Sequence, residues 1–132
     1  MKAKAIFFAA IIAVLSMGFT SCKKDKEDPT IDIIEPDDGA TLAWGEEIHV
    51  ELNFNDDRDL KHYSIMIGDA AGVLDTNFNF SYAEDISGTT HYFHEHAIVP
   101  DSCSSTIIYI YYNVEDAEGK TAAKTLTLHI TP

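Results

Sequence analysis

Between residues 48 and 55 the chain alternates without a break. Ile48, Val50, Leu52 and Phe54 are apolar, and His49, Glu51, Asn53 and Asn55 between them are polar. A period of two places all four apolar side chains on one face of an extended strand, whereas a helix would scatter them around its axis. One side of this strand must lie on a core and the other must face water, as in an antiparallel sheet covered on one face only.

The same signature recurs along the chain. Ile31 and Ile33 flank Asp32, and Pro36-Asp37-Asp38-Gly39 then forms a turn. Tyr63, Ile65 and Ile67 predict a strand that stops near Gly68, and Phe78, Phe80 and Tyr82 predict a short one between loops at 69–75 and 84–89. His91 to Val99 reads as a strand ended by Pro100, and Thr106 to Val114 as a β-branched and aromatic one. After the turn Asp116-Ala117-Glu118-Gly119, the residues Leu126, Leu128 and Ile130 close the pattern. About seven short strands with no amphipathic helix predict an all-β fold, a single immunoglobulin-like antiparallel β-sandwich over residues 30–132.

The N-terminus is built differently. Lys2 and Lys4 precede the apolar run Ala5–Leu15, which spans 11 residues. A membrane-crossing helix needs roughly 20, so the run predicts the core of an export signal over residues 1–21. Phe19-Thr20-Ser21-Cys22 resembles a bacterial lipobox, with Phe19 where leucine is usual. That resemblance implies that Cys22 carries lipid and becomes the first residue of the mature chain. A thiolate is the nucleophile such a transfer needs, and stable anchoring takes more than one acyl chain. Residues 22–29, charged and ending in Pro29, read as the lipidated cysteine and a flexible tether.

The net charge is −13, and loss of Lys2 and Lys4 would make the remainder more acidic. From Thr30 onward the basic residues are Arg58, Lys61, Lys120 and Lys124. Such a surface repels nucleic acid, which is bound by Lys and Arg at its phosphates, and is compatible with cations and basic partners. With Cys22 given to lipid, Cys103 has no partner within the chain and is expected to be buried as a small apolar residue.

Several motifs together carry a family resemblance: P-x-I-x-I-x-x-P-x-x-G at 29–39, N-D-D-R-D-L at 55–60, H-Y-F-H-E-H at 91–96 and V-E-D-A-E-G-K at 114–120. They resemble bacterial immunoglobulin-like and cadherin-like modules. More narrowly, residues 22–132 are similar to small Bacteroidetes-type lipoproteins of unknown function, the DUF4625 type. The resemblance implies a β-sandwich in the cell envelope, lipid-anchored at the outer membrane and displayed outward or toward the periplasm. It implies no activity.

Two constellations could carry chemistry. His94 and His96, two apart on a strand, point the same way about 7 Å apart along the chain, and imidazole suits zinc, copper and nickel. His91 completes the histidine-rich strand but has the opposite parity, as does Glu95. A third ligand must come from elsewhere, with His49 on a neighbouring strand the first candidate and His62 a second. The strand itself is contradictory. If Tyr92 and Ile98 face the core, His94 and His96 do too; if Phe93, Ala97 and Val99 do, Glu95 goes with them.

The second constellation is acidic: Asp56, Asp57 and Asp59 in one loop, Asp116 and Glu118 in another. In an immunoglobulin-like sandwich these loops share one end, close to Glu27 and Asp28, and calcium takes six to eight oxygens of this kind. Tyr109 and Tyr111 are expected outward, opposite Ile108, Ile110, Tyr112 and Val114, where they could contact a glycan or protein. Trp44 is expected to plug a sandwich end. The chain has no G-x-S-x-G elbow and no glycine-rich phosphate loop. The function expected is therefore a non-enzymatic, membrane-tethered interaction module with a protein or glycan partner, stabilised by calcium at the acidic loops; the alternative is a lipoprotein that binds copper or zinc through its histidines.

Overall fold

The computed structural model describes residues 27–132. The export signal expected at 1–21, the lipid-bearing Cys22 and most of the tether lie outside the described residues.

Eight strands form two sheets. They are β1 (Thr30–Glu35), β2 (Thr41–Ala43), β3 (Glu47–Asn55), β4 (Leu60–Gly68), β5 (Ser81–Asp85), β6 (Thr90–Ile98), β7 (Ile107–Asp116) and β8 (Thr121–Thr131). The smaller sheet has the order β1-β3-β6 and the larger β2-β8-β7-β4-β5. No helix occurs among the described residues. The architecture is the all-β sandwich that the alternation predicts.

The alternation of β3 is realised in full. Ile48, Val50, Leu52 and Phe54 are all buried. They meet Tyr63, Ile65 and Ile67 of β4, Ile108, Ile110, Tyr112 and Val114 of β7, and Leu128 and Ile130 of β8 in one core. Burying a side chain of this size contributes about 1.5–3 kcal/mol, so the four residues of β3 do most to anchor the small sheet to the large one, with Ile31 of β1 and Phe93 and Ala97 of β6 in the same core. Cys103 lies in the same core as a free thiol, its Sγ 3.6 Å from the Ser105 carbonyl.

Four details depart from the expected pattern. A short eighth strand, β2, pairs parallel with β8, so one ladder of the sandwich is not antiparallel. Three residues give too little alternation to read. Phe78 and Phe80 are buried but lie before the strand, which begins at Ser81, includes Tyr82 as expected, and ends at Asp85, two residues into the stretch expected to be loop. Asp75 caps a single turn here, its carbonyl accepting from the N–H of Phe78 and of Asn79, so Phe78 enters the core from a turn, while the Phe80 carbonyl already accepts from the Ile67 N–H of β4 at 3.1 Å. Trp44 is no plug, since it keeps 40% of its surface exposed.

The fourth concerns β6. Phe93 and Ala97 face the core and Tyr92 and Ile98 face solvent, so His91 and Glu95 take inward parity. The conflict resolves because β6 is an edge strand, with β3 as its only neighbour among the described residues. Glu95 reaches water past that edge and is exposed. His91 lies flat on Tyr63 with ring centroids 5.1 Å apart. Burial, with Glu84 beside it, pushes the Tyr63 phenol up to about 12, and burial also pushes Tyr112 upward.

Two outcomes follow. Leu52→Ala should cost about 2–5 kcal/mol in urea unfolding, while His49→Ala, on the wet face of the same strand, should stay within about 0.5 kcal/mol. In an alkaline titration, Tyr63 and Tyr112 should ionise after the exposed tyrosines. Because their folded values lie above the ordinary value of 10.0, the stability they hold is complete below that pH and falls as pH rises through the folded values. Phenolate absorbance, followed alongside unfolding, checks both statements.

Candidate functional site

The outer face of the small sheet collects the polar half of each alternating strand. β3 and β6 pair from Glu47↔Ile98 to Asn55↔Thr90 in one antiparallel register, which sets His49 directly opposite His96 and Glu51 opposite His94. Since His94 and His96 share parity, three imidazoles converge. The ring centroids are 4.4 Å apart for His49 and His96, 4.7 Å for His94 and His96, and 6.1 Å for His49 and His94. One nitrogen from each lies within 4.8 Å of the others, and all three residues are exposed. Among the described residues this is the group of three potential metal ligands that closes this tightly.

Carboxylates surround the rings. Glu47 Oε1 accepts a close hydrogen bond from His96 Nδ1 and lies 3.2 Å from His49 Nε2. An ionised carboxylate can only accept, so His96 Nδ1 carries the proton of that bond. The lone pair of neutral His96 is then left on Nε2. Glu35 reaches the same place because a bulge between Ile33 and Glu35 shifts the β1 register, and its Oε2 lies 3.9 Å from His49 Nδ1. Glu51 Oε1 accepts from the Tyr92 hydroxyl at 2.7 Å. An open depression borders His49, with Ile34, Pro36 and Leu42 as its apolar part and Glu35, Asp37 and Glu47 as its acidic part.

Zinc binds imidazole nitrogen at about 2.0–2.1 Å with tetrahedral geometry, which needs nitrogens about 3.3 Å apart. One nitrogen of each exposed ring lies within 4.8 Å of the others, so side-chain rotation would have to close that gap. Three imidazoles would leave the fourth tetrahedral position to water or another ligand.

The remaining expected residues are distributed as follows. His91 is on the opposite face of β6, against Tyr63, and does not join the cluster. His62 sits on β4 with Asp85 Oδ1 2.8 Å from its Nδ1. Tyr109 and Tyr111 lie side by side, half-buried on the large sheet, and the Tyr111 hydroxyl donates to the Asp69 carbonyl at 2.6 Å. The acidic residues meet at one end of the sandwich. There Asp59 accepts from the Gly88 N–H at 2.5 Å, Arg58 bonds Glu118 at 2.8 Å, and Asp56 and Asp116 accept from backbone N–H groups of their own turns. Lys120 ties the chain entry to this end, donating to the Glu27 carbonyl at 2.7 Å and lying 4.0 Å from Asp28. Sequence reasoning missed Glu47 and Glu35 beside the histidines. The parity of Glu47 with His49 was a usable signal, whereas the bulge that carries Glu35 was not.

Fold and site together define a β-sandwich domain that carries a ligand-type cluster on an open sheet face. The chain belongs to the family described as a domain of unknown function (DUF4625), which matches residues 20–131. No curated protein matches the chain in sequence. Among solved structures it is similar to a catalytically inactive OgpA from Akkermansia muciniphila in complex with an O-glycopeptide substrate, glycodrosocin. That match has 17% identity and a TM-score of 0.50, and covers 79% of this chain and 29% of that one. It is also similar to the sporulation control protein Spo0M from Bacillus subtilis, with 12% identity, a TM-score of 0.46, and coverage of 81% and 51%. A third is a Niemann-Pick type C2 protein from the Japanese carpenter ant, with 14% identity, a TM-score of 0.40, and coverage of 80% and 90%. The chain spans under a third of the OgpA chain it matches, and at 17% identity that likeness is one of fold.

If Glu47 sets the ring orientations, Glu47→Gln should leave the melting midpoint nearly unchanged and alter the histidine tautomers. Nitrogen chemical shifts of the imidazoles would show this as loss of the fixed Nδ1–H form of His96.

Proposed function

We propose that this domain is a non-enzymatic metal-binding module of the cell envelope, tethered by lipid at Cys22, in which His49, His94 and His96 take copper or zinc. One observation carries the reading: an i, i+2 histidine pair on an edge strand lies across from a third histidine in register, with one nitrogen of each within 4.8 Å of the others. Imidazole-only donor sets favour copper over zinc in affinity, and which metal is held depends on supply. Glu47 supports the site from outside it, as carboxylates commonly do for metal-bound histidine by fixing the tautomer and raising ligand basicity. The acidic surroundings of Glu35, Glu47 and Glu51 further favour a cation.

The open coordination position gives the module a way to contact something else. Tyr92 and Ile98, each more than half exposed on β6, flank the histidines and offer apolar contact to a protein or glycan seated over the metal. Display on an envelope surface would place such a face within reach of partners.

The test is a thermal melt of the whole chain in mild detergent, stripped with chelator and then given copper or zinc. At a hundredfold excess over the dissociation constant the bound metal should add about 2.7 kcal/mol, which for a domain of this size is a rise of about 10 °C or more. His94→Ala with His96→Ala should abolish the rise, and Glu47→Ala should weaken affinity about 10- to 100-fold. An unchanged midpoint with both metals, or a full rise in the double variant, would sink the reading.

A further inference from the structure

The outer face of the small sheet is apolar as well as polar. Ile34, Tyr92 and Ile98 each keep about half of their surface in water there, and Ile34 borders the depression beside His49 and Glu47. The β2–β3 loop adds Trp44 at one end. Its Gly45 N–H donates to the Val99 carbonyl at 2.8 Å, which holds that loop against the end of β6 where Ile98 stands. Large apolar side chains gathered on one face and rimmed by polar ones mark a contact surface, whereas single exposed ones carry no such meaning.

The charge on this face has one sign. Asp32, Glu35, Glu47 and Glu51 lie on it, and among the described residues they meet Asn55, His49, His96 and Tyr92. No lysine or arginine lies on β1, β3 or β6. Arg58 falls in the β3–β4 loop, Lys61 on β4, Lys120 in the β7–β8 turn and Lys124 on β8. Glu47 and Glu51 share outward parity four residues apart on β3, about 13 Å at the rise of a strand.

We propose that the outer face of the small sheet docks a basic polypeptide segment, its lysine or arginine side chains over Glu35, Glu47 and Glu51 and its apolar ones over Ile34, Tyr92 and Ile98. Charge complementarity selects this occupant. An anionic partner would meet carboxylates with no lysine or arginine among them, and like-charge juxtaposition suppresses such a pairing. A wholly apolar partner would strip water from those carboxylates and return nothing, which is costly. A segment that mixes basic and apolar residues satisfies both halves of the face. In an extended partner, basic residues four apart match the separation of Glu47 and Glu51. This docking goes beyond the metal reading and does not need the ion, because four carboxylates outweigh one divalent cation at the histidines.

The experiment uses the whole chain in mild detergent with chelator present. Fluorescence anisotropy follows a labelled peptide of repeating Lys-Ser-Leu-Ser, with Glu-Ser-Leu-Ser as its acidic counterpart. The basic peptide should bind, more weakly as salt rises, and the acidic one should not. Glu35→Gln with Glu47→Gln and Glu51→Gln should weaken binding about tenfold. A variant with the same change in charge, Asp57→Asn with Asp85→Asn and Glu118→Gln, should leave it within about twofold, which separates a docking face from the pull of the net charge. Ile34→Ser with Ile98→Ser should weaken it about tenfold through lost apolar contact. His94→Ala with His96→Ala, which removes the metal ligands, should keep peptide binding, so either reading can fail while the other stands. No binding of the basic peptide, or equal losses in the two three-carboxylate variants, overturns the proposal.

Discussion

The packing of one strand's inward side chains against the opposite sheet is the contact on which the rest depends. Ile48, Val50, Leu52 and Phe54 are wholly enclosed, and slipping β3 by one residue would expose all four. Their burial therefore dictates that His49 and Glu47 point outward. The ladder to β6 then dictates which residues stand opposite. The histidine cluster is in this sense a by-product of core formation, because its geometry is set by hydrophobic parity and ladder register rather than by any attraction among the rings.

The same logic explains what could be read from the sequence. The β3 alternation was legible because both faces were unambiguous, and the β-sandwich and the candidacy of His49 as a third partner of the His94/His96 pair followed from it, while the family resemblance rested on separate motifs at 29–39, 55–60, 91–96 and 114–120. The parity of β6 was not legible. Phe93 and Ala97 compete with Tyr92 and Ile98 for the core, and the contest is decided by an edge position that lets Glu95 reach water. That outcome depends on strand order, which local pattern does not encode. β2 was too short to show a period, and Phe78 owes its burial to a capped turn rather than to a strand. In each failure the deciding contact is tertiary.

The acidic loops show a different limit. Asp56 and Asp116 were visible as turn residues among several similar ones, such as Asp57 and Glu118. What separates them is the state of each carboxylate's second oxygen, which depends on how closely two loops pack. Only a count of donors against acceptors in three dimensions distinguishes a solvated turn aspartate from one whose second oxygen is buried without a hydrogen-bond partner. Glu47 is an intermediate case: its outward parity was readable, but its grip on two imidazoles at once was not.

The division between the two faces of β3 has a consequence for how such a chain can change over time. The outward residues contribute almost nothing to the core, so substitutions among them leave folding free energy nearly untouched. A lineage could acquire, lose or exchange the ligands on this face one residue at a time without passing through an unfolded intermediate. Residues 48, 50, 52 and 54 have no such freedom. Conservation within the family should therefore be split along a single strand, with every second position held by packing and the positions between them free to follow whatever each member binds.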